Sequence, residues 1–142
     1  MPMKSIVNIT VRGYHIDQFD HVNHGRYVEL LEEARWCYLE ENNLFEAIHE
    51  VGAIHVVSRL EIDYRLPARV NDTLCFETKV TGRTDSGFRM NQDVFLKSPE
   101  KLVLHANIFN IFVDQQGKAK TIDHRILDLW PDLASAETIN LL

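Results

Sequence analysis

The chain has little of what marks a secreted, membrane-spanning or nucleic-acid-binding protein. It holds only two cysteines, Cys37 and Cys75, with no Cys-x-x-Cys pair and no zinc-ribbon spacing. That excludes a disulfide framework and a structural zinc site. Both cysteines read as small buried hydrophobes, one in a predicted helix and one in a predicted strand. No apolar run approaches the ~20 residues that a membrane-spanning helix needs. The start, Met1-Pro2-Met3-Lys4-Ser5, carries no signal-peptide core, so a cytoplasmic location and no membrane partner are expected. Positive charge is in deficit, with 15 Lys and Arg against 21 Asp and Glu and a net charge of −6. Without a basic cluster, nucleic acid is excluded as the main partner, because phosphate neutralisation dominates such affinity. A small ligand with a few phosphates needs only a local patch and stays open. Linkers, repeats and low-complexity segments are absent too, and 142 residues with 45% apolar content read as one domain, 1–142, with a real core.

What is present is clear patterning. Residues 5–13 alternate, with β-branched residues prominent, and predict a strand. A loop over 14–22 follows. Asn23 is placed to cap a helix from His24 to Glu41, in which Tyr27, Leu30, Leu31, Ala34, Cys37 and Tyr38 share one face. A short helical turn over 44–51 ends at Gly52. Four strands are then expected, Ile54–Tyr64, Thr73–Val80, Phe88–Leu96 and Leu102–Val113, separated by turn residues such as Asn71-Asp72 and Asp85-Ser86-Gly87. The last three have short links and predict an antiparallel meander. Asp123–Leu129 reads as a short helix stopped before Pro131, and 132–142 as a frayed tail or a clasp. One long helix against an antiparallel sheet is an α+β layout.

The chemistry concentrates in Arg12-Gly13-Tyr14-His15-Ile16-Asp17-Gln18-Phe19-Asp20-His21-Val22-Asn23-His24-Gly25-Arg26-Tyr27. A loop carboxylate, Asp17, stands just before a helix whose first-turn amides have no intrahelical acceptor. A carboxylate can attack or deprotonate water, and such amides can hold an oxyanion. By position the His24 N–H is the first donor candidate and Gly25 the second, its missing side chain allowing close approach. Asn23 and His21 read as support for the loop and Tyr27 as a packing residue. His15, Asp17, Asp20, His21 and His24 are metal-ligand types. However, His21 and His24 straddle the cap instead of sharing a helix face, so no metal is expected. Glu32 and Glu33 read as solvated or paired with Arg26 or Arg35. Arg12 is expected to pair with a carboxylate.

As a whole, that string, the following Leu31-Glu32-Glu33-Ala34-Arg35-Trp36, the block Ile62-Asp63-Tyr64-Arg65-Leu66-Pro67-Ala68 and the later Phe112-Val113-Asp114 resemble the 4-hydroxybenzoyl-CoA thioesterase-type hotdog family. The likeness is strongest to the branch that hydrolyses long-chain acyl-CoA. It implies a hotdog fold, a five-stranded antiparallel sheet wrapped around one long helix, with a core over about 6–115 and a C-terminal extension over about 119–142. It implies Asp17 as nucleophile or general base on an acyl-CoA thioester, without metal or redox cofactor. It also implies a homodimer, often a dimer of dimers forming a homotetramer, with the site between subunits. Arg65, Arg89 and Lys97 are then candidates for the coenzyme A phosphates, the last two on one strand face. Tyr14, Phe19, Leu30, Leu31, Ile54, Val56 and Val57 are candidates for the acyl pocket. One departure is His15, where many relatives carry a second acid. Two rival readings are a thioesterase for acyl-carrier-protein substrates and a non-catalytic acyl-CoA-binding protein on the same fold.

Overall fold

The computed structural model describes residues 4–140. Five strands, β1 (Ser5–Thr10), β2 (Ile54–Tyr64), β3 (Thr73–Arg83), β4 (Gly87–Lys97) and β5 (Glu100–Val113), form one antiparallel sheet in the order β1-β3-β4-β5-β2. The long helix α1 (His24–Glu41) packs across β1 and β3, and the short α2 (Leu44–Glu50) follows it. This is the expected hotdog α+β fold. The core lies between helix and sheet, where Leu31, Ala34 and Tyr38 of α1 meet Leu74, Phe76, Met90 and Val94, all at most 2% exposed. Such burial is the main favourable term in folding. Cys37 and Cys75 are free and only half-buried, less enclosed than expected.

Several boundaries differ from the pattern, β3 running on to Arg83 past the expected Val80. β1 stops at Thr10 and does not run to Gly13. The Val11 N–H donates to the Asp72 carbonyl and its own carbonyl accepts from the Asn71 N–H, so the strand hands over to a loop. Gly13–His15 then make a 3-10 turn. At the other end the short helix stops before Pro131 as expected, and Pro131 starts a further one. After α3 (His124–Leu129), capped by Asp123, it opens α4 (Pro131–Ala134), where a missing N–H costs nothing.

The following segment is a clasp. The Arg83 N–H donates to the Glu137 carbonyl, and the Ile139 N–H donates to the Arg83 carbonyl, so residues 137–139 run along the end of β3. Leu141 and Leu142 lie outside the described residues. The clasp is anchored by Trp130, whose indole N–H donates to the Tyr38 hydroxyl at 2.9 Å. Tyr38 in turn donates to Asp132 Oδ2 at 2.9 Å.

β2 carries a bulge between Val57 and Arg59. Before it, His55 and Val57 face the helix side; after it, Leu60, Ile62 and Tyr64 do, as their pairing with buried Phe112, Asn110, Ile108, Ala106 and Leu104 shows.

Candidate active site

The loop before α1 is held on every side by main-chain bonds. Ile16 and Val22 form an isolated antiparallel bridge. Inside it the Asp17 N–H donates to the His21 carbonyl at 2.9 Å, and Asp20 turns the chain with a left-handed φ of 63°, a conformation Asp tolerates. The Val22 N–H donates to the Ala68 carbonyl and ties the loop to the block after β2. One carboxylate oxygen of Asp17, Oδ1, accepts from the Phe19 N–H at 2.9 Å. Oδ2 has no partner among the described residues.

Asn23 caps α1 as expected, its Oδ1 accepting from the Gly25 N–H at 2.9 Å. That occupies the Gly25 amide. A Cβ on Gly25 would stand 3.2 Å from the same Asn23 oxygen, so the glycine's small size serves the cap. Gly25 also lines a second cavity, together with Asp17, Tyr14, His15 and Arg26. The His24 N–H has no hydrogen-bond partner among the described residues.

Asp17 and His24 line one cavity of about 480 Å³ together with Phe19, His21, Tyr27, Tyr64 and Arg65. Tyr27 is 3% exposed, and its hydroxyl is buried without a partner. Burial pushes its pKa up to about 12, so it stays a phenol. Its ring lies 5.8 Å from that of Tyr64. His21 supports Asp17 through its carbonyl, while its ring is half-exposed and approaches the Arg69 guanidinium at 3.4 Å.

His15 is buried, and its Nδ1 accepts from the Arg12 N–H at 2.9 Å. Desolvation, then the Arg26 charge, lower its pKa. A neutral imidazole is therefore favoured at this position. His55 is likewise lowered, by desolvation and then by Arg35. Both shifts have one sign. The unfolded chain takes up protons that the folded chain refuses, so stability is full above about pH 6.5 and declines as pH falls through that value. Melting temperatures measured from about pH 8 down to about pH 5 will fall on the acid side of 6.5, and the fall will be smaller in His55→Gln.

Other expected roles are redistributed. Of the three phosphate candidates only Arg65 reaches this cavity. The Arg89 Nε and Nη2 donate to the Thr81 hydroxyl and carbonyl at 2.9 and 3.0 Å. Lys97 stands at the opposite end of β4, about 26 Å away along an extended strand, so the two do not grip one diphosphate in a single chain. Alternation gives the face of a strand but not the distance along it. Leu30 and Leu31 are sealed in the core, Phe19 lines the cavity that Asp17 shares with His24, Tyr14 lines the one that Asp17 shares with Gly25, and Ile54, Val56 and Val57 remain exposed on β2. Glu32 and Glu33 form no ion pair among the described residues; Arg26 pairs with Glu29 at 2.7 Å, and Arg35 turns inward to Gln92 at 3.0 Å. Arg12 likewise has no ion pair there.

Sequence reasoning missed Tyr64 as a site residue, although it stood in a matching block. From the end of β2 its hydroxyl donates to the His24 carbonyl at 2.8 Å. With Asn23 on the adjacent Gly25 N–H, this fixes the first peptide of α1 at both ends. Tyr64→Phe will lower kcat about three- to tenfold with KM nearly unchanged, the scale of one hydrogen bond expressed in positioning. Steady-state kinetics on the purified variant will check this.

The comparisons with known proteins can be set beside a cavity lined by a loop carboxylate and the first residue of a helix. Residues 19–103 match the thioesterase superfamily. The chain belongs to that superfamily. The match opens just past Asp17, so the role of Asp17 rests on the geometry above. The long-chain acyl-CoA thioesterase FadM of Escherichia coli (strain K12) is 35% identical over 106 residues, 75% of this chain and 80% of that one. The structure of YbaW, a probable thioesterase from Escherichia coli, superposes with a TM-score of 0.83 at 30% identity, over 91% of this chain and 98% of that one. A 1,4-dihydroxy-2-naphthoyl-CoA thioesterase from Synechocystis shares the fold, with a TM-score of 0.81 at 17% identity, over 93% of this chain and 98% of that one. As a member of this superfamily, the chain is a thioester hydrolase. No helix among the described residues is long and apolar enough to cross a membrane.

Proposed function

We propose that the chain hydrolyses a long-chain fatty acyl-CoA to the free acid and coenzyme A. The observation that carries this is the cavity that Asp17 and His24 line together, the His24 N–H having no hydrogen-bond partner among the described residues. The thioester carbonyl oxygen lies on the His24 amide, at the positive end of α1, where charge develops as the carbonyl carbon becomes tetrahedral. The free Oδ2 of Asp17 then acts in one of two ways. As nucleophile it bonds to the carbonyl carbon, coenzyme A leaves as thiolate, and water cleaves the resulting anhydride. As general base it takes a proton from the water that attacks the carbon directly. In single turnover in ¹⁸O-water, label on Asp17 identifies the first route, with water attacking the aspartyl carbonyl of the anhydride.

Arg65 at the cavity mouth is the cation that this chain offers to the coenzyme A phosphates. The long-chain preference is supported by the likeness to FadM. We place the reaction in the cytoplasm, where Cys37 and Cys75 stay reduced, and assign the working form as a homodimer or a dimer of dimers. The test is release of free thiol from acyl-CoAs of graded chain length, with 4-hydroxybenzoyl-CoA and an acyl-carrier-protein thioester alongside. Long-chain acyl-CoA will give the highest kcat/KM. A higher value for the aromatic or protein-borne substrate overturns the substrate assignment, and no turnover of any overturns the activity.

A further inference from the structure

Asp17 is the residue that the two cavities at the start of α1 have in common. The first, of about 480 Å³, carries Phe19, Val22, Tyr27, Tyr64 and Leu66 in its wall and suits a substrate with an apolar tail. The second, of about 420 Å³, carries His15, Asn23, Arg26 and Glu29, and its polar wall suits water. Most of those polar groups are already engaged. Arg26 and Glu29 pair with each other, and Asn23 Oδ1 is taken by the Gly25 N–H. His15 is different. It is 8% exposed, and the Arg12 N–H donates to its Nδ1 at 2.9 Å. In the neutral ring the proton therefore sits on Nε2. That Nε2–H has no hydrogen-bond partner among the described residues, and it is not one of the sealed polar atoms, so it opens on the cavity that His15 lines. Ile16, between His15 and Asp17, is extended, with φ −96° and ψ 139°. The side chains on either side of it thus leave the chain in the same direction.

We propose that the hydrolytic water is held in the second cavity, between Asp17 and the His15 Nε2–H, while acyl-CoA fills the first, and that His15 is a positioning residue for that water. Asp17 here has the role given to it in the function proposed above. Both routes open to Asp17 bring water to its carboxyl group. In the general-base route Asp17 takes a proton from the water, whose oxygen bonds to the acyl carbon as coenzyme A leaves. In the nucleophilic route the water oxygen bonds to the Asp17 carbonyl of the anhydride, and the fatty acid leaves as carboxylate. In both, one proton of the water ends on the coenzyme A thiolate and the other goes to solvent as the acid ionises. A donor on the water oxygen occupies one lone pair and leaves the second for attack. A neutral imidazole N–H supplies that donor without taking the proton that Asp17 must take, and desolvation keeps the ring neutral. Holding the water in place converts an encounter with solvent into a step within the site.

Two variants with opposite losses test this. His15→Asn keeps an amide oxygen where Nδ1 accepts from Arg12 and has nothing at the place of Nε2. His15→Gln brings its amide nitrogen near the place of Nε2. His15→Asn will lower kcat about tenfold, the scale of one hydrogen bond. Its KM will stay within about twofold of wild type, and it will melt near the wild-type temperature. His15→Gln will recover kcat to within about threefold of wild type. Full kcat in His15→Asn overturns the role of His15, as does a folded His15→Gln no faster than His15→Asn. A rise in KM at constant kcat in His15→Asn also overturns it, because the second cavity then takes part of the substrate. A crystal structure of the wild-type protein gives a readout independent of catalysis and of any variant's folding. We expect an ordered water within about 3.2 Å of both His15 Nε2 and an Asp17 carboxylate oxygen. No water at that place overturns the assignment. Wild-type protein inactive on every thioester, yet holding that water, refutes the function and keeps the water site.

Discussion

Asp17→Asn will lower kcat at least about a hundredfold, the usual contribution of a positioned acid, base or nucleophile. An amide neither attacks a thioester carbonyl nor takes a proton from water near neutral pH. It does keep a carbonyl-type oxygen for the Phe19 N–H that Asp17 Oδ1 now holds. The main-chain bonds from Asp17 to His21 and from Val22 to Ala68 are untouched. The variant should therefore melt near the wild-type temperature and bind acyl-CoA with little change in affinity. Loss of turnover with retained binding, measured by thiol release and by calorimetry, separates a chemical role from a structural one. A variant that keeps more than about a tenth of wild-type kcat removes Asp17 from the chemistry.

The second large effect is on stability. Trp130→Ala will cost about 3–5 kcal/mol, the range for truncating a buried aromatic. Trp130 is 1% exposed, its ring centre lies 5.0 Å from Phe88, and its indole N–H is bonded to Tyr38. Removing it opens a cavity behind α1 and frees the clasp from its anchor. For a domain of this size the melting temperature should fall by about 10–15 °C. Tyr38→Phe should cost less, because the ring stays and only the hydroxyl shared by Trp130 and Asp132 is lost. Equal losses in the two variants would show that the hydrogen bonds, and not the packed indole, hold the clasp.

The parts of this protein that were legible in its sequence are those governed by local rules. The three- and four-residue steps from Tyr27 to Tyr38 marked the buried face of α1, and Asn23 marked its cap. The Asp17 loop was visible because a carboxylate and a helix start stand next to each other in the chain. What escaped depends on contacts distant in sequence. Tyr38, Trp130 and Asp132 meet only once the C-terminal segment has crossed to α1. Tyr64 reaches His24 only because the Ala68 carbonyl brings the block after β2 against the Asp17 loop. Arg89 and Lys97 share a face, yet their separation along β4 and the tie of Arg89 to Thr81 remove them from a common grip. Gly25 shows the same limit: its amide is bonded to the Asn23 cap, and composition cannot distinguish that service from service to a ligand.

The bond from Tyr64 to the His24 carbonyl also has a bearing on how the molecule breathes. It latches the first turn of α1 to an edge strand, not to the sheet's interior. Edge elements with exposed side chains open more often than the core around them. Each brief fraying of β2 therefore loosens the turn that presents the His24 amide. Amide hydrogen exchange at the start of α1 should follow that of β2, not that of the remaining helix. The His24 amide, proposed above as the oxyanion donor, shares the local stability of the most exposed strand in the sheet, and whatever steadies that strand steadies the amide.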